Sequence, residues 1–359
     1  MKSSFFKLKI MKQALLACFV ISVAVISCGK KDSTPAPPPA DKTVLKASVD
    51  TAQMLNDNTA EGTKPGEYEV GSKAALTTAL TASTTVLNNA TATQADINNT
   101  IAQLNAAIAG YRGHYIEEIA AANLIGYWKM NGNANDSSGN GNNGTVTMGH
   151  AYFGAGTPTL TADRFGQANM AYHFDKGGNI EVPYKSSLNP QQMSISLWVL
   201  QDTVGRTVNP ANYYMISMNR WNGWKFQTQP SLPFFTVHAI EPAGDTTYYD
   251  RDDAGTAIKP ATWYHLVVTY KPGFEDFYIN GDLVKEWTNV TGTPITVDNI
   301  NMTIGSDLPT GKYLTTDPTG NFLVDYGGFW TGDMDDVMFY NIALTGPQVK
   351  SIYTNQNTQ

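Results

Sequence analysis

The chain has 359 residues, a formal net charge of −7 and two cysteines, Cys18 and Cys28. That balance excludes an ordinary nucleic-acid partner, which needs a basic face, and sits better with neutral ligands or cations. The length exceeds one ordinary domain, so two folded units are expected, and no disulfide framework holds them.

Lys2, Lys7, Lys9 and Lys12 make a basic start ahead of an almost uninterrupted apolar run, Ala14 to Ile26. The run is shorter than the ~20 residues of a spanning helix, so a cleaved signal is expected, with Met1 or Met11 as its start. It ends in Val25-Ile26-Ser27-Cys28, which resembles the lipobox of bacterial lipoproteins. The resemblance implies a lipid on Cys28 and an outer-membrane lipoprotein, exposed at the cell surface and held in the membrane through that lipid. Cleavage removes four lysines and no acids, which takes −7 to −11. Cys18 leaves with the signal and Cys28 carries lipid, so the mature fold depends on its core. With 1–28 as signal, residues 29–42 (GKKDSTPAPPPADK) are an extended Pro-rich tether.

Residues 43–115 read as three amphipathic helices. Leu45, Val49, Ala52 and Leu55 share one face, Leu76, Leu80, Ser83 and Leu87 a second, and Ile97, Ile101, Leu104, Ile108 and Tyr111 a third. Thr93-Gln94-Ala95-Asp96 opens the last as a variant capping box. Helices of this length predict a small antiparallel three-helix bundle. The stretch from Gly66 to Ile108 resembles the FIVAR module of bacterial surface proteins, which implies an adhesive or sugar-related role, with a plain helical spacer as the alternative.

From Leu124 the period becomes two. Runs at 124–130, 193–200, 237–240, 262–270, 274–280, 301–304 and 335–340 read as strands. Asn280-Gly281 predicts a tight hairpin turn, and a short helix runs from Thr345 to Tyr353. Strands without alternating helices imply a mainly β antiparallel sandwich over 120–357. The segments LIGYWKMNGNANDSSGNGNNGTV, RFGQANMAYHFDKGGNIEVP, SISLWV, WYHLVVTY, FYINGDLV and GDMDDVMFYNIALTGPQV, in that order, resemble the LamG-like, concanavalin A-like jelly rolls. Residues 202–260 are longer than that pattern, and 306–331 form an inserted loop.

Residues 131–144 hold six Asn and four Gly beside Asp136, so the loop can turn carbonyl oxygens inward. Oxygens without thiol or imidazole suit Ca²⁺. The resemblance brings the first and last strands together and implies a structural Ca²⁺ held by Asp136, Asn142 and one of Asp335 and Asp336. For catalysis, no carboxylates have the spacing of a sandwich glycosidase. Asp250-Arg251-Asp252-Asp253 reads as a loop, and the scattered histidines make no ligand motif. A non-catalytic binding protein is therefore expected. Aromatics in the extra segments, Trp221, Trp224, Tyr248, Tyr249 and Trp330, are its candidate ligand-binding residues, because exposed rings stack on sugars. A glycan is the expected partner; the alternatives are an adhesin for a cell-surface protein and, behind it, a glycan-active hydrolase.

Overall fold

The computed structural model describes residues 39–203, 212–229, 231–253 and 255–358. Cys28 and the signal segment lie outside them.

Helices α1 (Thr43–Asn58), α2 (Lys73–Asn88) and α3 (Gln94–Gly113) form the bundle. Leu45, Val49, Ala52 and Leu55 all turn inward on α1, as their spacing requires. Thr93 caps α3, accepting from the Asp96 N–H while Asp96 accepts from the Thr93 N–H. Between α1 and α2 lies a short parallel pair, β1 (Glu61–Gly62) and β2 (Tyr68–Glu69).

The sandwich strands follow. They are β3 (Leu124–Trp128), β4 (Thr145–Thr147), β5 (Thr159–Thr161), β6 (Ala171–Phe174), β7 (Asn179–Val182) and β8 (Met193–Gln201). Next come β9 (Tyr213–Met218), β10 (Trp224–Gln229), β11 (Leu232–Ile240), β12 (Thr246–Asp252), β13 (Trp263–Lys271) and β14 (Phe274–Ile279). The last are β15 (Asp282–Trp287), β16 (Thr293–Pro294), β17 (Met302–Ile304) and β18 (Gly332–Tyr340), before helix α4 (Gly346–Gln356).

One sheet runs β12-β11-β10-β9-β17-β7-β4 with β16 beside β11; the other runs β15-β14-β13-β8-β18-β6-β5. All their pairings are antiparallel, and one continuous apolar core lies between the sheets. Strand β18 serves two neighbours on one side: Gly332–Met334 pair with β6, and Val337–Tyr340 with β3. First and last strands are therefore adjacent, as expected. A bulge interrupts β18 at Asp335 and Asp336, where Asp336 takes a φ of 48°. At the β14–β15 hairpin Asn280 and Gly281 adopt φ of 54° and 78°, the double left-handed geometry of a tight turn.

Helix α4 opens at Thr345 with a capping box. It also holds the helical module: Ser351 Oγ and Asn355 Nδ2 donate to the Thr63 carbonyl at 2.6 and 3.1 Å.

Candidate ligand-binding cleft

The site is built on the outer face of the β12-to-β4 sheet. Successive strand residues point to opposite faces. Trp224 and Phe226 of β10, Phe235 and Val237 of β11, and Tyr249 of β12 therefore enter the core. Lys225, Thr236 and Asp250 fall on the other face and stand in register across the three strands. Thr236 Oγ1 donates to Asp250 Oδ1 at 2.5 Å. Lys225 Nζ donates to Gln227 Oε1 at 3.1 Å and lies 5.2 and 5.3 Å from the ring centroids of Tyr214 and Phe234. Burial pushes the Lys225 amine down to about 8, against the pull of Asp250 and Asp307.

Trp221, Lys225, Tyr248 and Asp250 line an open cleft of about 330 Å³. Tyr248 is 46% exposed, and its ring stacks on His238 with centroids 4.2 Å apart. Trp221, which also lines the cleft, is half-buried on the short turn Arg220–Asn222 between β9 and β10. The arrangement can stack an apolar ring face while one ammonium and one carboxylate meet hydroxyls, the usual make-up of a polar-ligand pocket.

Trp221 is fixed from below. Asn219 and Arg220 take φ of 63° and 56°, which for Arg220 costs roughly 1–2 kcal/mol. The turn persists because Arg220 is fully buried and held: Nε donates to Asp307 Oδ2 at 2.5 Å, and Nη1 to the carbonyls of Leu323 and Gly320 at 3.2 and 3.4 Å. Asp307 Oδ1 in turn accepts from the Tyr313 hydroxyl and the Gly328 N–H. The guanidinium lies 4.7 Å from the Trp221 ring centroid.

Of the five aromatics expected to bind ligand, the cleft unites Trp221 and Tyr248. The other three are corrected to core positions. Trp224 is 2% exposed and packs on Phe339 with centroids 5.0 Å apart. Trp330 is fully buried against Tyr213. Tyr249 alternates with Tyr248, and its hydroxyl bonds Glu241 and accepts from the N–H groups of Thr291 and Gly292. Trp221-Asn222-Gly223-Trp224 does straddle a turn, but Trp224 is already the first residue of β10, with its side chain directed inward.

The expected calcium donors do not fit a calcium ion. Asp136 Oδ1 accepts the N–H groups of Tyr127 and Ser138, and Oδ2 that of Asn142, at 2.9–3.0 Å. Asn142 Nδ2 donates to the Ile125 carbonyl, which leaves its Oδ1 as the one buried oxygen without a partner in this set. Asp335 and Asp336 face a cation already: Arg164 donates Nη1 to Asp335 and Nη2 to Asp336 Oδ2, the latter at 2.9 Å. Burial and the Asp336 charge raise the Asp335 pKa, and Arg164 opposes them. Arg164 also donates to the Gln356 carbonyl from Nε and Nη2. A guanidinium thus ties the closing strand to the C-terminus, whereas Ca²⁺ would need six to eight free oxygens.

Asp136→Ala is accordingly expected to cost about 2 kcal/mol by stranding backbone donors. Calorimetry should show the same loss in calcium and in chelator. A loss confined to calcium would restore the ion.

Among the described residues no group of three or more His, Cys, Asp or Glu side chains could hold a metal. The Asp250 run is not a loop, since Asp250–Asp252 end β12. His265 is fully buried, with Nε2 2.8 Å from Ser196 Oγ. Lys225, Arg220, Asp307 and Arg164 escaped the sequence reading. For Lys225 a signal existed: a charge on an otherwise β-forming run, two residues before Gln227, marks an outward-facing polar row.

Three solved structures illustrate the likenesses. Domain 4 of AbnA, an extracellular arabinanase from Geobacillus stearothermophilus solved with arabinotriose, is 21% identical, with a TM-score of 0.46 over 64% of this chain and 98% of its own. The binding domain of Paraclostridial Mosquitocidal Protein 1 is 16% identical, with a TM-score of 0.47 over 66% of this chain and 53% of its own. The botulinum neurotoxin serotype D binding domain is 15% identical, with a TM-score of 0.43 over 66% and 52%. The chain spans about half the length of both toxin domains. No curated protein matches the sequence. Residues 174–350 match the family model of the concanavalin A-like lectin/glucanases superfamily, and they lie within an antiparallel two-sheet sandwich of the concanavalin A-like fold.

Proposed function

We propose that this chain is a non-catalytic glycan-binding protein of the cell envelope. It captures polysaccharide in the cleft between Trp221 and Tyr248 and is tethered as an outer-membrane lipoprotein through Cys28. The observation that carries the reading is the cleft itself, where two accessible aromatic rings flank Lys225 and Asp250. Aromatic faces bind sugar C–H surfaces, and a donor and an acceptor at the floor read hydroxyls. The superfamily match over 174–350 supports the same class of ligand. Asp250, hydrogen-bonded to Thr236 in a strand row with Lys225, serves better as a hydroxyl acceptor than as half of an acid–base pair.

Affinity electrophoresis of the purified protein through gels of xylan, mannan, laminarin and pectin tests this. Retardation by one polymer is expected, weakened roughly tenfold (about 1.4 kcal/mol) by Trp221→Ala or Tyr248→Ala and unchanged by the core substitution Trp224→Phe. Migration unaffected by every polymer would turn the reading towards a protein partner. Globomycin-sensitive processing and radiolabelled palmitate incorporation, lost in Cys28→Ala, test the anchor.

A further inference from the structure

Residues 306–331, inserted between β17 and β18, are firmly organised. The Leu314 N–H donates to the Phe322 carbonyl and the Val324 N–H to the Leu314 carbonyl, both at 2.9 Å. Asp317 closes the tip, accepting from the Thr319 and Phe322 N–H groups at 2.9 and 2.7 Å. Besides the Arg220–Asp307 pair, further bonds tie the insert to the turn bearing Trp221. Arg220 donates to the Gly320 and Leu323 carbonyls, and Asn222 Nδ2 donates to Asn321 Oδ1 at 3.1 Å.

Tyr326 stands on this frame, 53% exposed. Its ring lies over Gly320, which has a φ of +74° and where a Cβ would come 3.1 Å from the ring. It also meets Trp221 in an edge arrangement, with ring centroids 6.0 Å apart and planes inclined by 62°. A lone exposed aromatic needs no explanation. This one adjoins a cleft wall, and it is held without being covered, as a preorganised platform is.

We infer that the ligand is a chain of several sugars that leaves the sheet face and continues onto the insert, where Tyr326 is a second stacking platform beside Trp221. This rests on the glycan reading of the cleft. Because the two rings are inclined, the fitting ligand is a single soluble chain that turns between residues. A flat crystalline polysaccharide surface would need coplanar rings.

The test is titration of the protein with monosaccharides and tetrasaccharides of glucose, xylose and mannose, with NMR detection for the weak binders and calorimetry for the rest. Pelleting with crystalline cellulose is run alongside. The parent should bind one tetrasaccharide series clearly tighter than its monosaccharide and should stay in solution with cellulose. Tyr326→Ala should lose roughly threefold to tenfold in tetrasaccharide affinity and nothing for the monosaccharide, while Trp221→Ala weakens both. Tetrasaccharide affinity unchanged in Tyr326→Ala, or tight pelleting with cellulose, overturns the second platform and leaves the cleft standing. If no sugar of any length binds the parent, the glycan reading falls and the platform with it.

Discussion

Asp307→Ala is expected to destabilise the sandwich by about 3–5 kcal/mol, the cost of leaving one member of a buried ion pair without its partner. Asp307 and Arg220 are both fully buried, and Nε and Oδ2 lie 2.5 Å apart. Removing the carboxylate strands the guanidinium, the Tyr313 hydroxyl and the Gly328 N–H together. Arg220 Nη2 already lacks a protein partner, so the site has no spare acceptor to absorb the loss. Denaturant unfolding measures the effect.

The same variant should also loosen ligand binding, because Arg220 carries the Trp221 turn and two carbonyls of the insert. A double substitution, Arg220→Met with Asp307→Leu, separates the contributions. Removing both charges should recover much of the stability but none of the affinity, since the Gly320 and Leu323 carbonyls then lose the donor that Asp307→Ala leaves in place. A single Asp307→Ala variant within 1 kcal/mol of the parent would show that the pair is solvated and does not anchor the turn.

This pair also shows where the sequence stops being informative. The helical faces of α1 to α3 and the strand alternation follow from spacing within a few residues, and each was legible. So was the hairpin at Asn280-Gly281, because only a narrow set of residues tolerates left-handed φ twice in succession. Lys225 shares a strand row with Asp250 and Arg220 bonds Asp307 across 25 and 87 positions of sequence, and nothing local records either. The five aromatics divided for a similar reason. Composition marks an aromatic-rich segment, but which ring faces out depends on strand register, and Trp224 lies one residue from the outward position held by Lys225. The neighbourhood of the two acids on the closing strand was hidden in the same way. Asp335 and Asp336 are acidic in any reading, yet the cation they meet is Arg164, 171 and 172 positions away.

Two buried groups should shape the pH profile of stability in opposite directions. His265 is fully buried, its Nδ1 lacks a partner, and burial, reinforced by Arg164, lowers its pKa to about 3. Between the unfolded value near 6.5 and about 3 the unfolded chain holds the extra proton, so stability falls as pH falls through this range. Glu275 is buried on β14 with neither carboxyl oxygen hydrogen-bonded, and burial raises its pKa well above the ordinary value. Above the unfolded value near 4.3 the folded chain holds the extra proton, so stability falls as pH rises, until Glu275 ionises in the fold. Each slope approaches about 1.4 kcal/mol per pH unit.

From roughly pH 4.3 upwards the two slopes oppose each other for as long as Glu275 stays protonated in the fold, which predicts a plateau above an acid limb owed to His265. Glu275→Gln should remove the opposing slope, so that stability climbs across the former plateau and levels off above the unfolded histidine value near 6.5. His265→Gln should do the reverse, declining from the acid end of the plateau upwards. The other titrating groups are common to all three proteins, so differences between urea-unfolding profiles at stepped pH isolate these two. A Glu275→Gln profile parallel to that of the parent would mean that water reaches the carboxyl between the sheets.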